Sequence, residues 1–169
     1  MSDNRQADFR DLGSRPGYLI RRLHQIHVAL FLEECREHNL TPVQFGVLTV
    51  LYHGEALDQV TIAGQLAIDR NNAADVIRRL EKRGLIERPK VVKDRRAKLA
   101  RITTSGQEVV DRMQPQMIKA QRRLMAPLDD QEYDRLMVLM SKVIEGNNEA
   151  SRAPQRNGPK EEKRRVKSA

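Results

Sequence analysis

Residues 61–103, TIAGQLAIDRNNAADVIRRLEKRGLIERPKVVKDRRAKLARIT, hold two short helical patterns, a glycine and a basic strand pair in close succession. In the second pattern Asp69 suits an N-cap, because its carboxylate can accept from the free N–H groups that open a helix. Ala73, Val76, Ile77 and Leu80 then recur at the i, i+3, i+4, i+7 spacing of one helical face. After Arg70, the opposite face carries Asn71, Asn72, Asp75, Arg78, Arg79 and Lys82. Gly84 follows where a left-handed residue would stop the helix. Asparagine and arginine have the paired donor and acceptor geometry that matches adenine and guanine edges in a major groove. An ordinary solvated helix face has the same composition, so this helix by itself leaves both readings open.

Its flanks separate them. Thr61 is placed to cap a shorter helix that turns Ile62, Ala63, Leu66 and Ala67 inward, and Ile68–Asp69 makes a turn tight enough to set the two helices at a steep angle, as in a helix-turn-helix. Beyond Gly84, residues 85–88 read as a strand, Pro89 to Lys98 as a loop rich in Lys and Arg, and Leu99, Arg101 and Ile102 as a returning strand. A basic hairpin beside a helix-turn-helix is a wing.

The run LAIDRNNAADVIRRLEKRGLIERPKVVKDRRAKLARITTSG resembles the winged helix-turn-helix of the MarR family of bacterial transcriptional regulators, above all in Asp94, Arg95 and Arg96 followed by Leu99, Ile102, Thr103 and Gly106. The resemblance extends over roughly Pro16 to Gly146. It implies a mainly α fold with a small β wing, in which N- and C-terminal helices form a dimerisation region. It also implies a homodimer on double-stranded DNA, with recognition helices in successive major grooves and wing arginines in the flanking minor grooves. By position Arg96 is then the minor-groove arginine, oriented by Asp94 through a charge-assisted hydrogen bond. The DNA-contact set so implied is Arg70, Asn71, Asn72, Asp75, Arg78, Arg79, Lys93, Asp94, Arg95, Arg96 and Lys98. The expected layout is a flexible N-terminus over 1–15, one domain over 16–150 and a disordered basic tail over 151–169. Within the domain the winged helix-turn-helix covers about 41–103, and the dimerisation helices about 17–38 and 104–146.

Charge supports a polyanionic partner and says where it would be met. Of a formal net charge of +8, residues 151–169 supply +5, with seven Lys or Arg against two Glu. From Glu87 to Arg101 there are seven basic residues and two acidic ones, so the body's excess lies on the wing. The first fourteen residues are polar with no apolar segment of a secretory signal, no stretch is long and apolar enough to span a membrane, and one cysteine permits no internal disulfide. A cytoplasmic protein is the expectation.

Elsewhere the pattern is helical. Residues 17–37 form a long helix with apolar residues over a wide arc, as when one helix packs on its own domain and on a dimer mate. Thr41 and Gln44 make a capping box with Pro42 at the first helical position, opening a helix to about Tyr52, and residues 55–60 read as a polar loop. The family often has a very short strand near Thr61 that pairs with the wing. Thr104 with Gln107 suggests a further capping box, Pro115 a bend in the helix that follows, and Asp129 with Glu132 the cap of a last helix ending at Gly146.

The segment PGYLIRRLHQIHVALFLEE is similar to first helices of MarR-type regulators of aromatic-compound catabolism. That similarity implies a small-molecule effector, an aromatic carboxylate or its coenzyme A thioester. Arg21 or Arg22, His24 and His27 would hold the anion, with Tyr18, Phe31 and Phe45 in apolar contact; packed, hydrogen-bonded histidines are the plainer account of His24 and His27. The main expectation is a ligand-responsive dimeric repressor. Competing readings are a winged-helix module that binds a protein, and a redox sensor using Cys35. No glycine-rich nucleotide loop, zinc-hydrolase motif or nucleophile–base constellation occurs, so neither enzyme activity nor a cofactor is expected. A metal on His24, His27 and His38 is disfavoured, since His38 would stand about 16 Å along the helix from His27.

Overall fold

The computed structural model describes residues 10–89 and 99–156. In chain order these form α1 (Pro16–Glu34), α2 (Pro42–Leu51), β1 (Leu57–Asp58), α3 (Gln59–Gln65), α4 (Arg70–Lys82), β2 (Ile86–Glu87), β3 (Leu99–Ile102), α5 (Thr104–Met125) and α6 (Asp130–Asn147). The three strands make an antiparallel sheet in the order β1-β3-β2, with Leu57 opposite Ala100 and Ile86 opposite Ile102.

One core organises everything from α1 to the first half of α5. Phe31 and Cys35 reach down from α1 to meet Phe45, Leu48 and Leu51 of α2, Ile62 of α3, and Ile77 and Leu80 of α4. Ile86, Ala100 and Ile102 close it from the sheet, and Val110 and Met113 from α5. The predicted periodicity of α4 is the observed one: Ala73, Val76, Ile77 and Leu80 are its buried residues. Truncating a side chain such as Leu80 to alanine in a core of this kind costs about 2 to 5 kcal/mol.

Several boundaries differ from the expected ones, each for a local reason. The cap of α3 is Asp58, not Thr61: its carboxylate accepts from the backbone N–H of Val60 at 2.8 Å and of Thr61 at 2.9 Å, and from the Thr61 hydroxyl at 2.9 Å. Burial alone would raise the Asp58 pKa, but the hydrogen bonds from Thr61 and Val60 outweigh it and hold the carboxyl below its ordinary value. The expected polar loop over 55–60 contains β1, whose pairing with β3 is a long-range contact. α1 ends at Glu34 and not Glu37; a 3-10 turn over Arg36–His38 follows and Asn39 turns the chain at φ 47°. Thr103, one residue before the expected cap, accepts from Gly106 N–H at 3.1 Å to open α5, which continues unbroken through Pro115. The box on α2 and that on α6, with Asp129 and Glu132, form as expected. Gly146 lies inside α6 rather than at its end.

The described parts of the two end segments carry local structure. Asp11 caps a 3-10 turn over Leu12–Ser14, inside the segment expected to be flexible. Residues 151–156, expected to belong to a disordered tail, lie back against α3, where Arg156 N–H donates to the Gly64 carbonyl at 2.8 Å.

Candidate nucleic-acid interface

The geometry of the helix-turn-helix follows from how its two helices end. At the close of α3, Ile68 N–H donates to Ala63 O at 3.0 Å and Ala67 N–H to Gly64 O at 3.3 Å, the paired bonds of a Schellman stop. The residue in the left-handed position is Ala67, at φ 51°. Two residues later Asp69 accepts from Asn72 N–H at 2.8 Å and starts α4. The same stop recurs at the far end, where Gly84 has φ 69° and Leu85 N–H reaches back to Leu80 O at 3.1 Å. α4 is therefore held at both ends while its outer face stays clear.

Two further residues, not singled out in the sequence, fix its orientation. Gln59 Nε2 donates to Arg70 O at 2.9 Å, tying the start of α3 to the start of α4. Arg83 donates to the carbonyls of Asn39 at 2.7 Å and His38 at 2.8 Å, tying the end of α4 to the junction between α1 and α2. The sequence signal was a cationic residue just past a helix C-terminus, which alone does not identify a partner 44 residues away.

Arg70, Asn71, Asn72, Arg78 and Arg79 are all exposed on this outer face. Asp75 is half-buried, and its carboxylate is shared between Arg78 and Arg79, the latter at 2.6 Å. It acts on the arginines from within the helix, whereas the sequence grouped it with the base-reading side chains. Lys93, Asp94, Arg95, Arg96 and Lys98 lie outside the described residues. At the base of the wing, Arg101 bonds to Glu87 at 2.6 Å and Arg88 to Glu81 at 2.9 Å, so both of the described basic residues between 87 and 101 are engaged by carboxylates.

The residues expected to hold an effector are spread over α1 and the core. The Arg21 guanidinium stacks over Tyr18, 5.2 Å from the ring centroid, and donates to Gln25 at 3.2 Å; Arg22 also points to Gln25, at 3.5 Å. The rings of His24 and His27 lie 6.5 Å apart. Burial, and then the neighbouring His24, hold His27 below the ordinary histidine range. A neutral imidazole has one N–H to donate and one nitrogen that accepts. Phe31 is buried and packs on Phe45 with centroids 6.3 Å apart. Phe45 also lines a groove of 650 Å³ between α5 and α6, together with Met117, Ile118, Met125, Tyr133 and Met137. The other six do not line this groove.

Cys35 is buried at the end of α1, and its thiol is pushed up by burial and by the charge of Glu34. Glu34 itself bonds to Lys119 at 2.9 Å and to Arg123, which pin α1 to α5. A reactive sensor thiol needs the opposite setting, exposed and electropositive. We expect a disulfide exchange reagent to modify Cys35 only as fast as the protein unfolds, and Cys35→Ser to respond to peroxide as wild type does in a DNA-binding assay. Rapid modification of the folded protein would contradict this environment. Among the described residues no three His, Cys, Asp or Glu cluster to hold a metal ion, and no helix is long and apolar enough to cross a membrane.

Comparison with known proteins gives the arrangement a context. The sequence model of the MarR family matches residues 40–98. The HTH-type transcriptional repressor NicR of Pseudomonas putida is 26% identical over 140 residues, 83% of this chain and 89% of its own. A structure described as the mechanism for regulation of DNA binding of Bordetella bronchiseptica BpsR by 6-hydroxynicotinic acid superposes with a TM-score of 0.72 at 31% identity, covering 76% of this chain and 92% of that one. The transcriptional repressor CouR, bound to a 23-mer DNA duplex, gives a TM-score of 0.72 at 28% identity over 78% of this chain and 94% of that one.

Proposed function

Because the chain belongs to the MarR family of winged-helix transcriptional regulators, we propose that it works as a homodimeric repressor which reads a pseudo-palindromic operator and lets go of it when an aromatic carboxylate, or the corresponding coenzyme A thioester, binds. The observation that carries the DNA half of this reading is α4 itself. Its inner face is buried and both ends are tethered, which leaves Asn71, Asn72 and Arg78 on a rigid, exposed ridge. A ridge of that composition fits a major groove, with Asp75 restraining Arg78 and Arg79 so that less side-chain entropy is lost on contact.

The dimeric half is supported by α6. None of its 18 residues is buried, yet Tyr133, Met137, Leu139, Val143 and Ile144 are large and apolar. In a protein most of a helix's stability comes from packing its amphipathic face, so the apolar side of α6 calls for a partner surface. Leu19, Ile20, Leu23 and Ile26 leave α1 with a similar exposed stripe. A second copy offers both faces at once, and twofold symmetry then sets recognition helices about one turn of DNA apart.

For the effector, the support is the aromatic acid named with BpsR and the pairing of cationic or donor groups, Arg21, Arg22, His24 and His27, on one helix. Fluorescence titration of operator duplex against the protein tests the whole reading. Asn72→Ala and Arg78→Ala should each cost about 1 to 3 kcal/mol and relax the preference at one base position, while Arg96→Ala should weaken operator binding more broadly. Wild-type affinity in all three variants would remove both α4 and the wing from the interface. A panel of aromatic acids and thioesters that shifts neither the DNA affinity nor the melting temperature would remove the effector class.

A further inference from the structure

The two side-chain tethers on α4 are not equivalent. Gln59 and Arg70 both belong to the helix-turn-helix, so the bond between them stays inside the reading head. Arg83 reaches out of it. Its guanidinium donates through Nη1 to Asn39 O at 2.7 Å and through Nη2 to His38 O at 2.8 Å, across 44 and 45 residues of chain. Both acceptors lie in the joint between α1 and α2, where a 3-10 turn over Arg36–His38 gives way to Asn39 at φ 47°. Among the described residues no backbone N–H donates to either carbonyl, so this one side chain satisfies both.

On the other side of the joint, α1 is a single helix of 19 residues, about 28 Å long. Its buried residue, Phe31, lies near the joint, whereas Leu19, Ile20, Leu23 and Ile26 toward its start stay exposed. That exposed stripe is the one assigned above to a second copy. A stiff rod therefore runs from the proposed twofold contact to the joint, and Arg83 carries the connection on to the end of α4. Phe31, Ile77 and Leu80 also share one core, but apolar contact is non-directional and leaves small rotations open. A planar guanidinium bonded to two successive carbonyls fixes a direction as well as a distance.

We propose that Arg83 is a positioning residue which sets the separation and angle of the two recognition helices in a dimer, and so determines which half-site spacing the protein accepts. The proposal rests on the dimeric DNA-binding reading given above. It assigns Arg83 no contact with DNA, since both terminal nitrogens are committed to the protein's own backbone. One base pair of spacer moves a half-site by about 3.4 Å and turns it by about 34°. A head free to swing at the joint would follow such a shift, and a clamped one would not.

The test uses the full-length protein and an operator selected by the wild type from a randomised duplex pool. Affinity is measured for that operator, for versions with one base pair added or removed between the half-sites, and for a duplex with a single half-site. Wild type should lose roughly tenfold to a hundredfold on either altered spacing, the size of one mismatched base pair. Arg83→Ala should bind all three spacings within about threefold of one another. Arg83→Lys keeps the charge but replaces the fork by a point donor, so its spacing preference should match that of the alanine variant. In both variants the single half-site affinity and the salt slope from about 50 to 200 mM should equal those of wild type.

An unchanged spacing penalty in Arg83→Ala, or full rescue by lysine, would overturn the assignment. So would a salt slope smaller by about 0.9 in Arg83→Ala, the mark of a lost phosphate contact, or an equal loss on the single half-site. All four outcomes leave the dimer standing. A wild-type protein indifferent to spacing would instead overturn the dimeric reading together with this role for Arg83, so the two failures are distinct.

Discussion

Gly106→Ala should lower the melting temperature by roughly 6 to 12 °C, reflecting a loss of about 3 kcal/mol, although it adds one methyl group at a helical position where alanine is normally favoured. The added Cβ would lie 2.1 Å from the Leu85 carbonyl oxygen and 2.7 Å from Cγ1 of Ile102. Neither neighbour is free to yield. The Leu85 carbonyl accepts from Thr103 N–H at 3.1 Å, the Thr103 hydroxyl donates to Gly84 O at 2.7 Å, and Leu85 is tied back to the end of α4. Relief would require lifting the start of α5 off the base of the wing, which breaks those bonds. Gly146→Ala is the control: nothing lies within 4 Å of its Cβ position, so alanine inside α6 should leave stability unchanged or raise it by up to about 1 kcal/mol. Thermal unfolding followed by circular dichroism decides the matter, and a Gly106→Ala protein that melts with wild type would refute the backbone contact.

A single aspartate at Ile20 or Ile144 should split the proposed dimer and with it operator binding. Ile20 is 63% exposed and Ile144 59% exposed in the single chain, so neither substitution disturbs the core built on α2 to α4. Buried in an interface between copies, each would place an unpaired carboxylate against apolar side chains in both halves of a symmetric contact. Leaving an uncompensated charge at such a site costs several kcal/mol, and about 4 kcal/mol is already a thousand-fold weakening of association. Sedimentation velocity should show a monomer at concentrations where wild type is a dimer, with far-UV circular dichroism close to wild type. Operator affinity should fall by at least the gain from linking two half-sites, while the salt-dependent affinity for random duplex persists. A variant that remains dimeric would move the interface away from these faces.

What was legible in the sequence were features whose physics is local. The buried face of α4, its Asp69 cap and its Gly84 stop are set by residues within one or two turns of each other, and the structure keeps all three. The boxes at Thr41 and Asp129 are equally short-range and also survive. The resemblance through Thr103 and Gly106 is legible as a pattern, but its reason is tertiary: one residue caps α5 while bonding to Gly84, and the other lets the backbone of Leu85 approach.

Other features depend on partners far along the chain. Thr61 and Asp58 both suit a helix cap, and what places Asp58 there is β1, which exists only because β3 lies beside it. Arg83 reads as one more cation until the turn at Asn39 brings two carbonyls to it. The tail looks like unpartnered charge from Ser151 onward, yet the open side of Gly64 captures its first residues. The sequence by itself determined the periodicity, the caps and the sign of the charge, because these depend on neighbours within a turn of helix. Tertiary structure alone decided which competing cap wins, which cations are already paired and where the tail begins, because each depends on backbone groups that only folding brings within hydrogen-bond distance.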